Sequence, residues 1–289
     1  MCKLLLPFLI LSSFISFAQR PDLQVREKAA PAVRLTQLQQ LRTDAQSKGL
    51  RFSMSYTKAF EIGIKNLAGG LEPQISKEQA IKSSKDGKMQ LDKYRLSMQK
   101  AAGINPAIQK ILQEIQSASS CKANAATYDA RNQNYMTVAK AQGNCGSCWA
   151  FAGVSILEAG YMRVNKMTID ASEQELLNCA YGYNRDMNCS QGGWIDKTVA
   201  WIVDHGITSE TQVPYVTADQ SCNNFTDKMY GAISWGFVSE TNPGMPTKEE
   251  IKQAICEHGP VASRMWVYSE AFSAYDGQGN VYSETFPAN

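Results

Sequence analysis

Apolar residues recur every three or four positions in three stretches of the chain, which is the spacing of one buried helix face. They are Leu35, Leu38 and Leu41 in the first stretch, Ile108, Ile111, Leu112 and Ile115 in the second, and Phe151, Val154, Leu157 and Tyr161 in the third. Each set predicts a helix with these residues turned inward. Residues 51–58 alternate between polar and apolar side chains instead, and predict a short strand.

Turn and capping residues mark the ends of the predicted helices. Gly49 follows the first helix, Ser76 and Gln79 have the spacing of a capping box, and Asn105-Pro106 opens the helix that contains Ile108. The region before residue 120 is therefore predicted to be mainly helical.

The beginning of the chain differs from the rest. Lys3 precedes an apolar stretch at 4–17, which is too short to cross a bilayer, and Ser16-Phe17-Ala18 has the small-x-small pattern of a cleavage site. This predicts a secretory signal peptide over residues 1–18, with a signal anchor as the alternative. We therefore expect a secreted or exported protein, in an extracellular, periplasmic or lysosome-like compartment, with no membrane association once the signal is removed.

Charge divides the chain into two parts, which the overall net charge of +2 conceals. Residues 20–120 carry 17 Lys and Arg against 9 Asp and Glu, whereas residues 122–289 carry 11 against 18. Opposite charges favour docking of one part on the other, although both can simply be solvated surfaces.

With 289 residues and 44% apolar content, the chain is long enough for more than one compact unit. Nucleic acid is not an expected partner.

The most informative residues are 142–151, Gln-Gly-Asn-Cys-Gly-Ser-Cys-Trp-Ala-Phe, because they place a thiol where a helix is predicted to begin. Cys148 follows a glycine-containing turn and precedes the apolar helix of the third stretch. The positive end of a helix dipole and the unpaired N–H groups there favour thiolate over thiol. Thiolate is the form that attacks a carbonyl carbon, so Cys148 is the candidate nucleophile.

These ten residues resemble the active-site signature of the papain and cathepsin family of cysteine peptidases. The resemblance continues over about residues 128–289. It includes Asp129-Ala130-Arg131 for D-W-R, Thr137 to Gly143 for T-P-V-K-N-Q-G, Ser172 to Cys179 for S-E-Q-E-L-V-D-C, Cys189 to Gly193 for C-N-G-G, Val213-Pro214-Tyr215, and Gly259-Pro260-Val261.

The resemblance implies the precursor of a cysteine endopeptidase that cleaves peptide bonds through an acyl-enzyme on Cys148. It assigns the oxyanion donors to the side-chain amide of Gln142 and the backbone N–H of Cys148. It implies substrate binding by Gly192, Gly193, Trp194, Ile195 and Arg264, the last three at the S2 pocket. Arg264 stands where family members often have a small or apolar residue, so acidic or polar substrate side chains are expected there, unless a shift of one residue in register turns Arg264 to solvent.

The resemblance also implies two disulfides, Cys145 with Cys189 and Cys179 with Cys222, and leaves Cys148 free. Cys121 and Cys256 stay unassigned. No cofactor and no metal is implied, and the expected partners of a monomer are peptide or protein substrates and its own prosegment. A redox or zinc pair made of Cys145 and Cys148 is an alternative, but the sequence context that either would need is not found.

By resemblance the fold is α+β and papain-like, with a helical left lobe around the Cys148 helix and a β-barrel right lobe. Barrel strands are expected around 137–139, 230–238 and 260–267. We predict a basic, helical prosegment at 19–121, which inhibits the peptidase domain at 122–289. An N-terminal interaction module that stays attached is the alternative, since the E-x3-R-x2-[VI]-F-x2-N spacing of many prosegments is not found.

The catalytic base is the main departure from the family pattern. Family spacing puts a histidine about 130–150 residues after the cysteine, but no histidine follows His258. His205 and His258 are interpreted as exposed turn residues. We interpret the sequence as C-terminally truncated in the right lobe, with the base and its asparagine partner missing, and expect this chain by itself to be inactive. A catalytically dead binding or inhibitory relative, or an exopeptidase of the family, is the alternative.

Overall fold

A computed structural model describes residues 20–103, 105–119, 123–180, 186–223, 227–279 and 281–283. Its helices are α1 (Pro21–Lys28), α2 (Ala32–Ser47), α3 (Lys58–Ile62), α4 (Ile64–Leu67), α5 (Lys77–Ala102), α6 (Pro106–Ser119), α7 (Cys148–Gly160), α8 (Glu173–Cys179), α9 (Ile195–His205), α10 (Lys248–His258) and α11 (Glu270–Ala274). Its strands are β1 (Phe52–Met54) and β2 (Tyr275–Gly279). The predicted signal at 1–18 lies outside the described residues.

The chain divides into two compact units, one of Met1–Ile64 with Val267–Asn289 and one of Lys65–Trp266. This division does not coincide with the predicted boundary between residues 121 and 122. That boundary concerns how the chain is processed, and it stays a prediction.

The first unit is built around α2, whose predicted inward face is confirmed for Leu38 and Leu41. Leu38 is fully buried and Leu41 packs against the same core, to which Phe60 of α3 contributes a buried ring. The helix ends at Ser47, shortly before Gly49, whose φ of +68° is the left-handed conformation that glycine adopts easily.

The short strand predicted over 51–58 is confirmed in its middle part as β1. It pairs antiparallel with β2, and Met54 lies opposite Tyr275. The strand cannot extend to residue 58, because the Thr57 side chain accepts a hydrogen bond from the Phe60 N–H and thereby caps α3.

The core of the second unit lies around α7. Trp149 and Val154 on α7 are fully buried, and they belong to the same cluster as Leu176 of α8 and Ile202 of α9. The helix predicted from the third apolar stretch continues beyond α7 as a π-helical turn, Tyr161–Asn165.

The two long helices before residue 120 also follow the sequence prediction. Ser76 and Gln79 form the expected capping box at the start of α5, which packs against α6. The Asn105 side chain accepts a hydrogen bond from the Ala107 N–H and opens α6, where Leu112 is buried. The side chain of Ile115 lies outside the described residues.

The three segments expected to seed a β-barrel form no strand ladder within the described part of the chain. Tyr230 makes an isolated antiparallel bridge with Ile207, while 137–139 and 260–267 have no strand partner among these residues. Val138 and Trp266 are respectively 88% and 70% exposed. A strand exists only where another strand satisfies its backbone N–H and C=O groups, and the described residues provide no such partner for these segments.

Candidate active site

The candidate nucleophile is the first residue of α7. The turn before it is held by the Cys145–Cys189 disulfide and by a hydrogen bond of 2.9 Å from the Gly146 N–H to the Cys189 carbonyl oxygen. Cys148 is half-buried, and it is the free cysteine among the residues that the structure describes. Since Trp149 is fully buried, it anchors the start of α7 in the core and sets the position of the neighbouring thiol.

Both disulfides implied by the resemblance are present, Cys145–Cys189 and Cys179–Cys222. Because Cys145 is bonded to Cys189, it does not form a dithiol or zinc pair with Cys148. Cys256 is also disulfide-bonded, whereas Cys121 lies outside the described residues.

Tyr215 joins the loop of Gln142 to the residue before the nucleophile. Its hydroxyl donates to the Gln142 carbonyl oxygen at 2.8 Å and lies 2.6 Å from the Ser147 hydroxyl. A phenol has one proton to donate, so Ser147 is the donor in the second bond. Burial raises the pKa of Tyr215, against the hydrogen bond to Ser147, so this hydroxyl stays protonated near neutral pH.

Residues 67–72, which we call the covering segment, lie over Cys148. The Gly69 N–H points at the Cys148 sulfur, with 3.4 Å between N and Sγ. The Gln142 side-chain amide donates to the Leu67 carbonyl oxygen at 3.0 Å and to the Cys145 carbonyl oxygen at 2.7 Å. The predicted oxyanion donor is thus occupied by a backbone carbonyl of the same chain.

The other side of the covering segment pairs with the predicted glycines. Gly70 and Gly193 form a parallel bridge, in which the Gly193 N–H donates to the Gly69 carbonyl oxygen at 2.7 Å and the Leu71 N–H donates to the Gly193 carbonyl oxygen at 2.8 Å. The Trp194 indole N–H donates to the Glu72 carbonyl oxygen at 2.7 Å. The backbone of Gly193 therefore pairs with the backbone of the covering segment, while its role in binding a peptide stays a prediction.

The covering segment can approach this closely because Gly69 and Gly193 have no side chain. A β-carbon on Gly69 would lie 1.7 Å from the Gly146 carbonyl oxygen, and one on Gly193 would lie 2.6 Å from the Trp149 ring. Both distances are far below van der Waals contact, so only glycine fits at these positions without a shift of the backbone.

Arg264 also contacts the covering segment. Its guanidinium is 3.4 Å from the Glu72 carboxylate, and its side chain is 28% exposed. Asp196, in the first turn of α9, is close enough to interact with it electrostatically. Burial raises the pKa of Asp196, while its backbone hydrogen bonds, Lys197 and Arg264 act in the opposite direction.

The remaining predicted residues are less directly involved. Gly192 is buried beside Gly193, and a β-carbon on it would lie 2.1 Å from the Gly69 carbonyl oxygen. Ile195 packs against the core cluster that contains Trp149. The Trp194 ring, which is 4% exposed, has the Lys197 ammonium 3.8 Å from its centroid.

A partly buried cluster of charged side chains joins α7 to α8. The Lys140 ammonium lies 2.6 Å from Asp170, 3.0 Å from Glu173 and 3.2 Å from Glu158. Burial opposes the charge on Lys140, but Asp170, Glu173 and Glu158 outweigh it and raise the pKa of Lys140. Burial raises the pKa of Glu173 to about 7, against the lowering effect of Lys140. One lysine among three carboxylates leaves excess negative charge, and uptake of a proton by Glu173 relieves it.

Neither histidine contacts Cys148 in the described part of the chain. His205 is the last residue of α9, and its ring stacks on Trp201 with centroids 5.0 Å apart. His258 is the last residue of α10 and lies 3.6 Å from the Glu257 carboxylate. The described residues therefore provide no imidazole beside the thiol.

Sequence reasoning overlooked the covering segment and the role of Tyr215. The signal for the first was the Gly69-Gly70 pair, since adjacent glycines often mark close backbone approach. The signal for the second was Tyr215 itself, which was noted only as part of a motif. In both cases the partner residue is more than 60 positions away.

Comparison with known proteins matches the family model "Papain family cysteine protease" to residues 124–288. Among the relatives, "Peptidase 1" of Euroglyphus maynei is 34% identical over 152 residues, covering 52% of this chain and 44% of the relative. "Cathepsin L" of Sarcophaga peregrina is 34% identical over 157 residues, with coverages of 54% and 44%. "Digestive cysteine proteinase 3" of Homarus americanus is 34% identical over 161 residues, with coverages of 55% and 47%.

A structure of the bromelain protease from Ananas comosus, in complex with the E64 inhibitor, is 33% identical in sequence. The overlay covers 34% of this chain and 43% of that chain, with a TM-score of 0.30. The chain spans less than half the length of the three relatives given above.

Since the family model matches more than half of the residues, the chain belongs to the papain family of cysteine proteases. This confirms the predicted family and, with it, the papain-like α+β fold class. No helix among the described residues combines the length and the apolar content needed to cross a bilayer.

Proposed function

We propose that this chain is part of the precursor of an exported cysteine endopeptidase, in which Cys148 is the nucleophile. One observation carries the proposal: the free, half-buried Cys148 thiol opens α7, and the Gln142 amide and the Gly193 backbone contact the same segment of chain that covers it. Membership of the papain family supports the same assignment.

In the proposed reaction, the Cys148 thiolate attacks the carbonyl carbon of a peptide bond, and the carbonyl oxygen becomes an oxyanion. The Gln142 side-chain amide and the Cys148 backbone N–H donate hydrogen bonds to that oxygen. The C–N bond then breaks, the amine leaves with a proton from an imidazole, and water hydrolyses the acyl-enzyme. Gly192, Gly193, Trp194, Ile195 and Arg264 are the proposed substrate-binding residues.

The proton donor has to be an imidazole other than the two described above. His205 and His258 lie against Trp201 and Glu257, respectively. We therefore expect residues 1–289 alone to cleave peptides at a small fraction of the rate of the complete protein.

The covering segment supports a second part of the proposal, that residues 19–121 are an inhibitory prosegment. The Leu67 carbonyl oxygen accepts a hydrogen bond from the Gln142 amide, and the Gly69 N–H donates one to the Cys148 sulfur. A peptide substrate needs the same two groups, so the segment and the substrate exclude each other. The net charges of +8 on 20–120 and −7 on 122–289 favour docking of the prosegment.

Export is supported by the cysteines as well as by the predicted signal. The disulfides Cys145–Cys189 and Cys179–Cys222 persist in an oxidising compartment and are rare in the cytosol.

Covalent labelling of the complete, activated protein tests the nucleophile. An epoxysuccinyl peptide should add its mass to the Cys148 peptide and abolish peptide hydrolysis, and Cys148→Ser should show neither label nor activity. Labelling at another residue, with hydrolysis retained in Cys148→Ser, would refute the assignment.

Kinetics test the oxyanion donor. Gln142→Ala should lower kcat by about 10²–10³ with little change in KM, because the lost hydrogen bond forms only in the transition state. The matched control is Asn144→Ala, which removes an exposed amide from the same loop. Equal kcat values for the two variants would remove Gln142 from the mechanism.

A further inference from the structure

Arg264 borders the space beside the nucleophile that a side chain of a bound peptide would enter. A β-carbon built on Gly70 lies 3.6 Å from Arg264 Cγ, 3.8 Å from Cys148 Sγ and 3.9 Å from Arg264 Cδ. These are ordinary van der Waals contacts. A β-carbon at position 70 would therefore fit, and it would contact both the Arg264 stem and the Cys148 thiol.

The partner of the Arg264 guanidinium belongs to the covering segment. Among the described ion pairs, Arg264 makes one with Glu72, at 3.4 Å. Glu72 is itself 71% exposed, whereas Arg264 is 28% exposed. The guanidinium of Arg264 is therefore paired with a more exposed carboxylate that belongs to the covering segment.

The other charged groups near Arg264 do not replace Glu72. Asp196 interacts with Arg264 electrostatically, but the described ion pair of Arg264 is with Glu72. Lys197 is directed to Asp186, at 3.0 Å, and to the Trp194 ring. When the covering segment leaves, the guanidinium loses its ion-pair partner, and another anion in the same place would restore the contact.

We propose that Arg264 selects an acidic side chain, Asp or Glu, in a peptide that replaces the covering segment. The selected side chain is the one on the peptide residue that takes the place of Gly70. This inference rests on the proposed peptidase function for its substrate, but the anion site itself rests on the contacts of Gly70, Glu72 and Arg264. Once the covering segment has left, this acidic side chain would pair with the Arg264 guanidinium as Glu72 does while the segment is in place.

The first experiment needs no catalysis. Gly70→Glu, Gly70→Gln and Gly70→Lys are made in this chain, and the rate of Cys148 alkylation by iodoacetamide is measured by mass spectrometry. The reagent is uncharged, so it is not itself attracted or repelled by the introduced charges. Glu should slow alkylation about threefold relative to Gln, the range expected of a partly exposed ion pair, and Lys should speed it.

A charge reversal separates the pocket from a general electrostatic effect on the thiol. In the Arg264→Glu background, Lys at position 70 should slow alkylation and Glu should speed it. An order of rates that is the same in both backgrounds would overturn the proposed anion site.

The second experiment uses the complete active protein and matched peptides with Glu, Gln or Lys at the position in question. Wild type should show kcat/KM at least threefold higher for Glu than for Gln, Arg264→Gln should lose this preference, and Arg264→Glu should prefer Lys. Equal kcat/KM for Glu and Gln would overturn the selectivity while leaving the peptidase function intact. The expected alkylation reversal without hydrolysis of any peptide would instead refute the peptidase function and support the anion site.

Discussion

The hydroxyl of Tyr215 donates a hydrogen bond of 2.8 Å to the backbone carbonyl oxygen of Gln142. The same hydroxyl accepts from Ser147, the residue immediately before Cys148. The two proposed oxyanion donors, the Gln142 amide and the Cys148 N–H, are therefore positioned relative to each other through one phenol.

Tyr215→Phe should lower the free energy of unfolding by about 1–3 kcal/mol, because it leaves the Ser147 hydroxyl, which is fully buried, and the Gln142 carbonyl without their partner. The measurement is urea unfolding at pH 7, followed by tryptophan fluorescence. Tyr128→Phe, on a ring that is 49% exposed, is the control and should change the free energy little. Equal effects of the two variants would show that the hydroxyl of Tyr215 does not hold the loops.

Gly69→Ala should expose Cys148. The added β-carbon would meet the Gly146 carbonyl oxygen at 1.7 Å, so the covering segment has to move away from the thiol. Overpacking typically costs about 1–3 kcal/mol, which corresponds to a rise in iodoacetamide alkylation of about 5- to 150-fold. Gly160→Ala, where a β-carbon meets nothing within 4 Å, is the control. If both variants react at the wild-type rate, the segment does not shield the thiol.

Glu173 should make stability depend on pH. Its pKa in the folded protein is about 7, above the ordinary value of 4.5, because of burial. The folded state thus holds the proton more tightly than the unfolded state, so this contribution is fully present below pH 4.5 and is lost as pH rises through 7. Glu173→Gln, a neutral mimic of the protonated form, should be more stable than wild type at pH 8 by an amount on the order of 1–3 kcal/mol, and similar to it at pH 4.

Urea unfolding at pH 4, 6 and 8 measures this difference. Glu249→Gln changes an exposed carboxyl on α10 and should follow the wild-type profile. A Glu173→Gln profile that is parallel to wild type across these pH values would contradict the expected proton uptake.

Glu175 should be among the most sensitive positions for folding. Its carboxylate is fully buried, accepts hydrogen bonds from the Thr208 N–H at 2.6 Å and the Thr208 hydroxyl at 2.7 Å, and pairs with Lys228. Glu175→Ala should cost about 3–5 kcal/mol, because it leaves a cation and a buried N–H without their acceptor. The measurement is guanidinium unfolding, with Glu249→Ala as the exposed control. A loss below 1 kcal/mol would mean that water replaces the carboxylate.

Long-range pairing explains where sequence prediction stopped. The alternating residues 51–58 predicted a strand, but the partner of β1 is β2, more than 200 residues later, and Ser55 donates to Asp276 across the same sheet at 2.7 Å. A strand around 260–267 was expected from the family resemblance, and it forms no ladder in the described residues. Alternation with a period of two indicates that a segment can form a strand. Whether it does so depends on which other segment the fold places beside it.

The sequence by itself determined the local elements and the reactive group. Apolar spacing and caps specified α2, α5 and α7, because a helix satisfies its backbone within a few residues, and the residues before Trp149 marked Cys148 and its family. Only the tertiary structure decided what lies against that thiol. Gly69 over Cys148, Tyr215 between Gln142 and Ser147, and Glu72 on Arg264 are contacts between residues 68 to 192 positions apart. Such contacts depend on how the whole chain packs, which no local spacing encodes.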